Sequence, residues 1–584
     1  MATSSPAFHC GVLCGLLCVL YAILSGTAVS QKSATYDEPL HVATGWLNLY
    51  RGDHRLSPDV PPLWEYWIAL PLGGDALNFD RTPADEPMDY RAVAALYGVP
   101  PADGVHLVNL ARAMSLPLAI LLGILIAVCA GQIAGPVAAV AAMVAFAFDP
   151  NWLGHGPLAK NDVPFALAYF ATGYAIWRLG KRPSLPLIGA VLILPAIALG
   201  VKYSALMIGP VMVVCLIARA MMSDPWMKCR GRPAKLGVAI AICTGALLIA
   251  WAGIWAQYRF RFDAGLDMNQ MLGNLRDAQV RSEFQINQPT PAQYATWHPD
   301  LVTSFVLALD RHHLVPQAWA GGFLYIQTQA GERLAYLLGQ VYPGGRWSYF
   351  PLAWLFKEPL AMIAAALVAA VIGLARLRKI GWSGLAMLIP AAFFLAAAMC
   401  GNVNIGLRHI FAVIPFIDVG IGAAAAFAWR HGRLARMAAL LLAAGCMLES
   451  VCSYPDYIAF FNLACGGERG GISLLGDSNL DWGQDLPLLA AWQTQHPNVP
   501  LYLDYFGVCD PAAYGIRYLN VPGGYVYGPP PRPPISPGVA AISATKLQRL
   551  FVIDRDRDFA TPFERERPIG VLGGTIYLFD YPPR

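Results

Sequence analysis

Long apolar stretches alternate with short polar turns along most of the 584-residue chain. A stretch of roughly 20 apolar residues suffices to cross a bilayer as a helix. The pattern predicts eleven such helices, over 10–29, 107–130, 134–152, 161–178, 184–201, 204–220, 236–257, 351–373, 383–400, 407–428 and 436–452. Segments 134–178 and 184–220 read as tight hairpins whose inner boundaries stay open. Two polar stretches interrupt the series, 30–106 and 258–350, and a third, 453–584, follows it.

The polar stretches carry patterns of their own. Leu40, Ala43, Trp46, Leu47 and Leu49 predict a short helix over 37–50. Pro61-Pro62 forces an extended entry into a second short run with Trp64, Tyr66 and Trp67, suited to the interface plane and too short to span. The stretch 258–350 is rich in Gln, Asn, Tyr and Trp. In the tail, 471–477, 500–506 and 548–554 read as strands, 482–495 as a helix and 528–538 as a Pro-rich loop. The expected architecture is a polytopic α-helical membrane protein with about eleven transmembrane helices over 1–452 and a soluble C-terminal α/β domain over 453–584.

Composition agrees. The chain is 56% hydrophobic and 13% charged, with a mean hydropathy of +0.46; soluble domains carry about 25% charged residues. A net charge of +4 without a long basic stretch gives no reason to expect nucleic acid. Residues 24–28 mimic a signal cleavage site, but the topology needs an uncleaved first span. Cys10, Cys14 and Cys18 form a stripe at helical spacing, read as helix packing. Cys452, Cys465 and Cys509 allow one disulfide whose pairing the sequence leaves open.

Charge orients the spans. With the N-terminus cytoplasmic, the turns on that side carry fourteen Lys and Arg: Arg178, Lys181, Arg182, Arg219, Lys228, Arg230, Arg232, Lys235, Arg376, Arg378, Lys379, Arg430, Arg433 and Arg436. The opposite short turns carry three, Lys160, Lys202 and Arg408, a strong positive-inside bias. The same opposite face receives Asp37, Glu38, Asn161, Asp162, Asn402, Asn404 and His409. That convergence is the sequence argument for a site there; the bland alternative is that turn residues merely face water. Asp37 is either a helix N-cap before Pro39 or a base at the membrane surface. Lys357 and Glu358 lie just inside an apolar run, where ionisable residues are functional candidates unless they simply pair or snorkel.

Several stretches carry a resemblance: YDEPLH (36–41), PPL (61–63), KNDVPFALAYF (160–170), GVKYSALMIGP (200–210), WLFKEPL (354–360), NVNIGLRHIFAVIPF (402–416) and, in the tail, 457–486. In order and topology the chain resembles the C-type glycosyltransferase superfamily, and within it the protein O-mannosyltransferase-like group, glycosyltransferase family 39, of bacterial phospholipid-carrier-dependent enzymes. The resemblance implies transfer of a hexosyl or pentosyl group from a polyprenyl-phosphate carrier to a protein, glycan or lipid acceptor. It implies a multi-pass protein of the inner (plasma) membrane whose C-terminus is periplasmic or extracellular. It makes Asp37 the expected catalytic base, with Glu38 beside it, and Asp162 the second acid. It departs at Val60, where the pattern has histidine, and at Trp64-Glu65, where many relatives place a basic residue. Lys202, Lys357 and Arg408 would then bind the carrier phosphate, with Lys160, Asn161, Asn404 and His409 as further substrate-binding candidates.

A hydroxyl acceptor needs a carboxylate to take its proton as it attacks the anomeric carbon. Direct displacement with one base predicts inversion. His41, four residues after Asp37, either orients it or joins Asp37 and Asp162 around a divalent cation, for which Mg or Mn would suit oxygen ligands. Asp481, Trp482 and Gln484 are acceptor-side candidates, against a solvated or capping role for the recurring Asp477, Asp481 and Asp485. Two other functions compete: a transporter or flippase of lipid-linked sugars, which predicts pseudo-symmetric repeats and broken central helices, and a non-catalytic assembly subunit.

Overall fold

The computed structural model describes residues 6–100, 102–284, 288–376, 381–550 and 559–583. Among them, six helices are long and apolar enough to cross a membrane: Phe8–Val29, Gly104–Ala134, Tyr203–Met221, Arg232–Gln257, Trp382–Met399 and Arg433–Cys452. Shorter apolar helices, Pro136–Ala147, Leu185–Leu199 and Leu360–Ala375, occupy three more of the expected spans. Asp162–Lys181 and Ile414–Arg430 occupy the remaining two. Leu247, Leu248, Val371, Leu374 and Leu441 stand bare on the outside, the surface that lipid covers. The chain is a multi-pass α-helical membrane protein. Its helices approach closely through small residues: a Cβ on Gly422 would strike the Ala138 carbonyl and the Ala142 methyl. Of the fourteen cationic residues that set the expected orientation, Arg378 and Lys379 lie outside the described residues.

Three spans begin irregularly at one end of the bundle, called here the head end. Tyr203–Met207 is a 3-10 turn before Ile208–Met221. Leu407–Ile410 is another, before Ile414–Arg430. The expected span 351–373 is two helices, Tyr349–Lys357 and Leu360–Ala375. Pro359 has no N–H and disfavours a helical residue before it, so Glu358 is extended, at φ −96° and ψ 143°. Each irregularity leaves a polar residue at the head end: Lys202, Glu358 and Arg408.

The first polar stretch lies across this end. Glu38–Trp46 continues as a wider turn to Arg51, and Pro62–Ala69 follows the extended Pro61. These helices cross at Gly45, where a Cβ would meet the Glu65 carbonyl at 2.6 Å. Trp67 donates to Met114 O and Tyr66 to Gln257 O, bracing the second helix on two spans. The stretch 258–350 is not a loop; its described residues form helices Met268–Phe284, Pro291–Thr296, Leu301–Arg311 and Gln317–Glu332 and a hairpin of β1 (Leu334–Leu337) and β2 (Gln340–Pro343).

The tail forms a five-stranded mixed sheet of β3 (Leu501–Asp504), β4 (Leu519–Asn520), β5 (Gly538–Ser543), β6 (Gly570–Leu572) and β7 (Ile576–Tyr581), in the order β4-β3-β5-β7-β6. The expected strand 471–477 is instead a glycine-rich turn packed on Cys465 and Phe461, with only Leu475 bridging to Leu337. The expected helix 482–495 begins at Leu486, because Gly483 at φ +85° closes a buried turn first. Of the expected strand 548–554, residues 548–550 form a turn and 551–554 lie outside the described residues. The strand that fills that layer is β5. Cys452, Cys465 and Cys509 are all free, and Cys509 is sealed in the core.

Candidate active site at the head end

Asp37 precedes Glu38–Trp46, but its side chain makes no capping bond. It points instead to two cations. Lys160 Nζ lies 2.8 Å from Asp37 Oδ2, and Arg408 Nη1 lies 3.3 Å from the same oxygen. The same Nη1 is 3.1 Å from Asp162 Oδ2, so one guanidinium nitrogen bridges both carboxylates. Lys202 holds the other oxygen of Asp162. Two carboxylates and three cations therefore share one cluster, drawn from the first polar stretch, the turn 160–162, the turn at 202 and the turn 407–410.

The cations keep donors in reserve. An ammonium has three N–H groups and a guanidinium five. Lys160 uses two, on Asp37 and on His41 Nε2 at 2.8 Å. Lys202 uses one, on Asp162. Arg408 donates through Nε to Ser478 Oγ at 2.9 Å and through Nη1 to the carboxylates; among the described residues Nη2 makes no hydrogen bond. The Arg408 guanidinium also lies 4.3 Å from the centre of the Trp482 ring. Side-chain exposures of 23% for Asp37, 13% for Lys160 and 18% for Lys202 keep the cluster open to one side.

Burial alone would raise the Asp37 pKa, but Lys160 and Arg408 outweigh it and hold the carboxyl below the usual carboxylate range. Asp37 is thus ionised at neutral pH. Burial, with Lys160 adding to it, lowers His41 to about 3, so its ring is neutral. Burial also lowers the Lys202 ammonium, against the pull of Asp162. Asn161 donates to Val201 O at 3.1 Å, tying the turn of Lys160 and Asp162 to that of Lys202.

Several candidates serve elsewhere. Glu38 is fully buried in a clamp: Arg112 grips both its oxygens at 2.8 and 2.7 Å, and the backbone N–H groups of Thr35 and Ala159 complete it. Its oxygens are spent on these donors, and it holds the fold. Lys357 is also buried, and all three of its donors go to the carbonyls of Ile458, Phe460 and Asn479, leaving none for a phosphate. Asn404 accepts from the Arg346 N–H at 2.6 Å, pinning the segment after β2. His409 is half-buried, and among the described residues its buried Nε2 has no hydrogen-bond partner. Asp481 accepts from the N–H groups of Gly483 and Thr545, and Gln484 braces Trp482 N and Leu480 O; both are buried and build the turn. Asp481, raised to about 7 by burial against those two N–H groups, stays structural. Only Trp482 of that trio reaches the cluster.

The metal reading fits poorly. Asp37 and Asp162 already face Lys160, Lys202 and Arg408, and His41 Nε2 faces an ammonium, so the donor set is met by cations. Among the described residues no group of three or more His, Cys, Asp and Glu is arranged to hold a metal ion.

Residues outside the sequence candidates complete the site. Ser478 aligns Arg408, and Gly406 gives it room, since a Cβ there would strike Ser478 Oγ. The tail docks beside Asp37 through Ser33 N on Gln484 O and Tyr36 N on Trp482 O, at 2.9 and 2.8 Å. Asp477, at φ +54°, is buried next to the cluster. Arg112 had a legible signal, a charge inside an apolar span; Ser478 had none.

No protein-family model matches the sequence, and no curated protein matches it. Among solved structures, the chain is similar to the S. cerevisiae protein O-mannosyltransferase complex bound to the sugar donor, with a TM-score of 0.52 and 12% identity over 78% of this chain and 90% of that one. It also matches the Archaeoglobus fulgidus oligosaccharyltransferase, at a TM-score of 0.42 and 13% identity over 84% of this chain and 58% of that one. ArnT from Cupriavidus metallidurans matches at a TM-score of 0.31 and 13% identity over 97% of both chains. The last two likenesses are too loose to add to the first. The likeness to the yeast structure gives the architecture, and the chain shares its fold.

Proposed function

We propose that the protein transfers a sugar from a polyprenyl-phosphate carrier to a hydroxyl acceptor, with Asp37 as the general base and inversion at the anomeric carbon. The observation that carries this reading is the cluster itself: an ionised, part-exposed carboxylate beside three cations with unused donors. The unused donors of the three cations leave room for an anion. A carrier phosphate rests at the membrane surface because its chain is buried in the bilayer, and the cluster lies at the head end of the spans. Arg408, Lys160 and Lys202 bind that phosphate; Arg408 offers the fork of Nη1 and Nη2. Asp162 holds Arg408 and Lys202 in place.

The chemistry follows from these positions. The acceptor hydroxyl gives its proton to Asp37 while its oxygen attacks the anomeric carbon. The bond from that carbon to the phosphate oxygen breaks, and the new charge falls on an oxygen held by Arg408 and Lys160. As these cations turn toward the phosphate, Asp37 loses part of their field and becomes a stronger base. The acid limb of kcat/KM, which reports the free enzyme, should therefore lie at lower pH than that of kcat.

The head end is proposed to be periplasmic or extracellular and the N-terminus cytoplasmic, on the distribution of Lys and Arg, with the inner membrane as the location. The proposed domain boundary near 453 is then where the last span gives way to the external tail. The sugar is a hexose or pentose, and the acceptor is a protein, glycan or lipid hydroxyl. The irregular backbone lies at the head-side ends of spans rather than in their middles, which favours an enzyme over a flippase.

The test is turnover of a synthetic polyprenyl-phosphate sugar by purified protein in nanodiscs, followed as release of polyprenyl phosphate. Acceptor-dependent release that is lost in Asp37→Asn is the expected result. Release unaffected by Asp37→Asn, or donor movement across vesicles without release, would overturn the proposal.

A further inference from the structure

Behind Lys160 runs a buried row of polar groups. Lys160 Nζ donates to His41 Nε2 at 2.8 Å, and since that nitrogen accepts, the neutral ring carries its proton on Nδ1. Nδ1 lies 3.4 Å from Glu65 Oε1, and Asn48 Nδ2 bonds the other Glu65 oxygen. His41, Glu65 and Asn48 are all buried. None touches the open side of the cluster, and a buried carboxyl is costly unless something requires it. Their geometry has one outward consequence, the place of the Lys160 ammonium.

We propose that Glu65 and His41 are positioning residues for Asp37: Glu65 fixes the tautomer and tilt of His41, and His41 holds Lys160 against the Asp37 carboxylate. The assignment rests on Asp37 being the base. Lysine is a flexible point charge with four rotatable carbons, and an acceptor at a fixed point behind it limits where the charge sits. Gly45 lets Glu38–Trp46 and Pro62–Ala69 cross closely enough for His41 and Glu65 to meet. This also accounts for an acid at 65: a basic side chain there would repel Lys160, whereas Glu65 presents an oxygen that accepts from the His41 ring.

The surrounding charges are consistent. Lys160, Asp37, Asp162 and Arg408 face His41. Asp59 and Lys160 face Glu65, with Tyr66, Tyr203 and Tyr258 packed near it. Burial raises the Glu65 carboxyl well above its usual value, with Asp59 adding to it. Oε1 accepts the Nδ1–H in either protonation state, so the arrangement holds across the physiological range.

Two measurements on full-length protein in nanodiscs test this, neither needing turnover. The first is the Asp37 titration, read as the infrared carboxyl band that Asp37→Asn removes. Glu65→Leu and His41→Leu free Lys160 to swing away and should raise the Asp37 pKa by about one unit, a tenfold rise in proton affinity. Glu65→Gln keeps an acceptor oxygen and should stay near wild type. A merely structural role would lower stability and leave this titration in place, and an unchanged band in folded Leu variants overturns the proposal. The second needs no variant beyond an assignment control. Nitrogen-15 NMR of histidine-labelled wild-type protein, with His41 assigned by loss of its signal in His41→Gln, should show a neutral Nδ1–H ring at pH 6. An imidazolium or an Nε2–H ring there overturns the proposal, whether or not the Leu variants fold. If both measurements come out as expected and no sugar transfer is found, the glycosyltransferase reading fails and the positioning of Asp37 stands.

Discussion

Asp37 and Glu38 are neighbours in the chain with opposite surroundings. Glu38 sits in a closed clamp with Arg112, where every oxygen has a partner and no water reaches it. Asp37 sits in an open cluster where the cations outnumber the acids and keep free donors. The basic residues divide in the same way. Lys357 gives all its donors to three carbonyls, while Lys160, Lys202 and Arg408 do not. One region has its donors and acceptors matched, and the other keeps donors in reserve. That difference, rather than residue type or depth, separates a structural ion pair from a candidate site.

The comparison breaks if the two acids respond alike. Asp37→Asn keeps the size of the side chain but cannot take a proton, and should cut turnover by about 100- to 10,000-fold. Its melting temperature should fall less than that of Glu38→Gln, because Asp37 is part-exposed and Asp162 still pairs with Arg408. Glu38→Gln should do the reverse. It leaves the Arg112 charge buried without its partner, which typically costs about 3–5 kcal/mol. Thermal unfolding in detergent would read this as a large loss of stability, with turnover per folded molecule changed far less. A stable Glu38→Gln protein with no activity would place Glu38 in the chemistry and erase the distinction.

The basic residues sharpen the same point at a smaller scale. Arg408→Ala should weaken donor binding by about 2–5 kcal/mol, the usual effect of truncating one partner of a buried charge pair. Arg408→Lys keeps the charge, loses the fork and should fall between alanine and wild type. Lys357→Met should leave donor affinity unchanged in the folded protein and lower stability, since three carbonyls lose their donor. Equal donor affinity in wild type and Arg408→Ala, by titration of the purified variants, would remove Arg408 from the phosphate.

Much of this was legible in the sequence, and the limits are physical. Among the described residues a helix lies in each of the eleven expected stretches, six of them long and apolar enough to cross a membrane, because lipid tolerates little but apolar runs. Asp37, Asp162, Lys160, Lys202 and Arg408 stood out because charge is sparse in such a chain. What sequence could not separate was a cation with spare donors from one without. Lys357 and Arg408 look alike as cations near the start of an apolar span, and only the tail carbonyls distinguish them. The tail was the least legible part. The expected strand 471–477 closes into turns after the short helix Gly467–Gly471, and β5 is a short run of small residues after a Pro-rich loop. Ser478 and Trp482 reach Arg408 only through that fold.

The smallest expected effect belongs to Trp482, the contact that joins the two regions through the tail. Its ring lies under the Arg408 guanidinium at 4.3 Å, and its carbonyl accepts from Tyr36 N. The carbonyl bond survives any substitution, so a side-chain change tests the ring alone. A cation–π contact is worth about 0.5–2 kcal/mol, more as it is desolvated. Trp482→Leu should therefore weaken donor affinity by about 2- to 30-fold by loosening Arg408, without removing it. A cavity would also loosen Arg408, so Leu alone does not isolate the cause. Trp482→Phe leaves a comparable cavity but keeps an aromatic face. If the face matters, Phe should retain most of the affinity that Leu loses. If Phe and Leu lose it equally, the ring supports Arg408 by packing alone, and Ser478 and the two carboxylates suffice to aim the guanidinium.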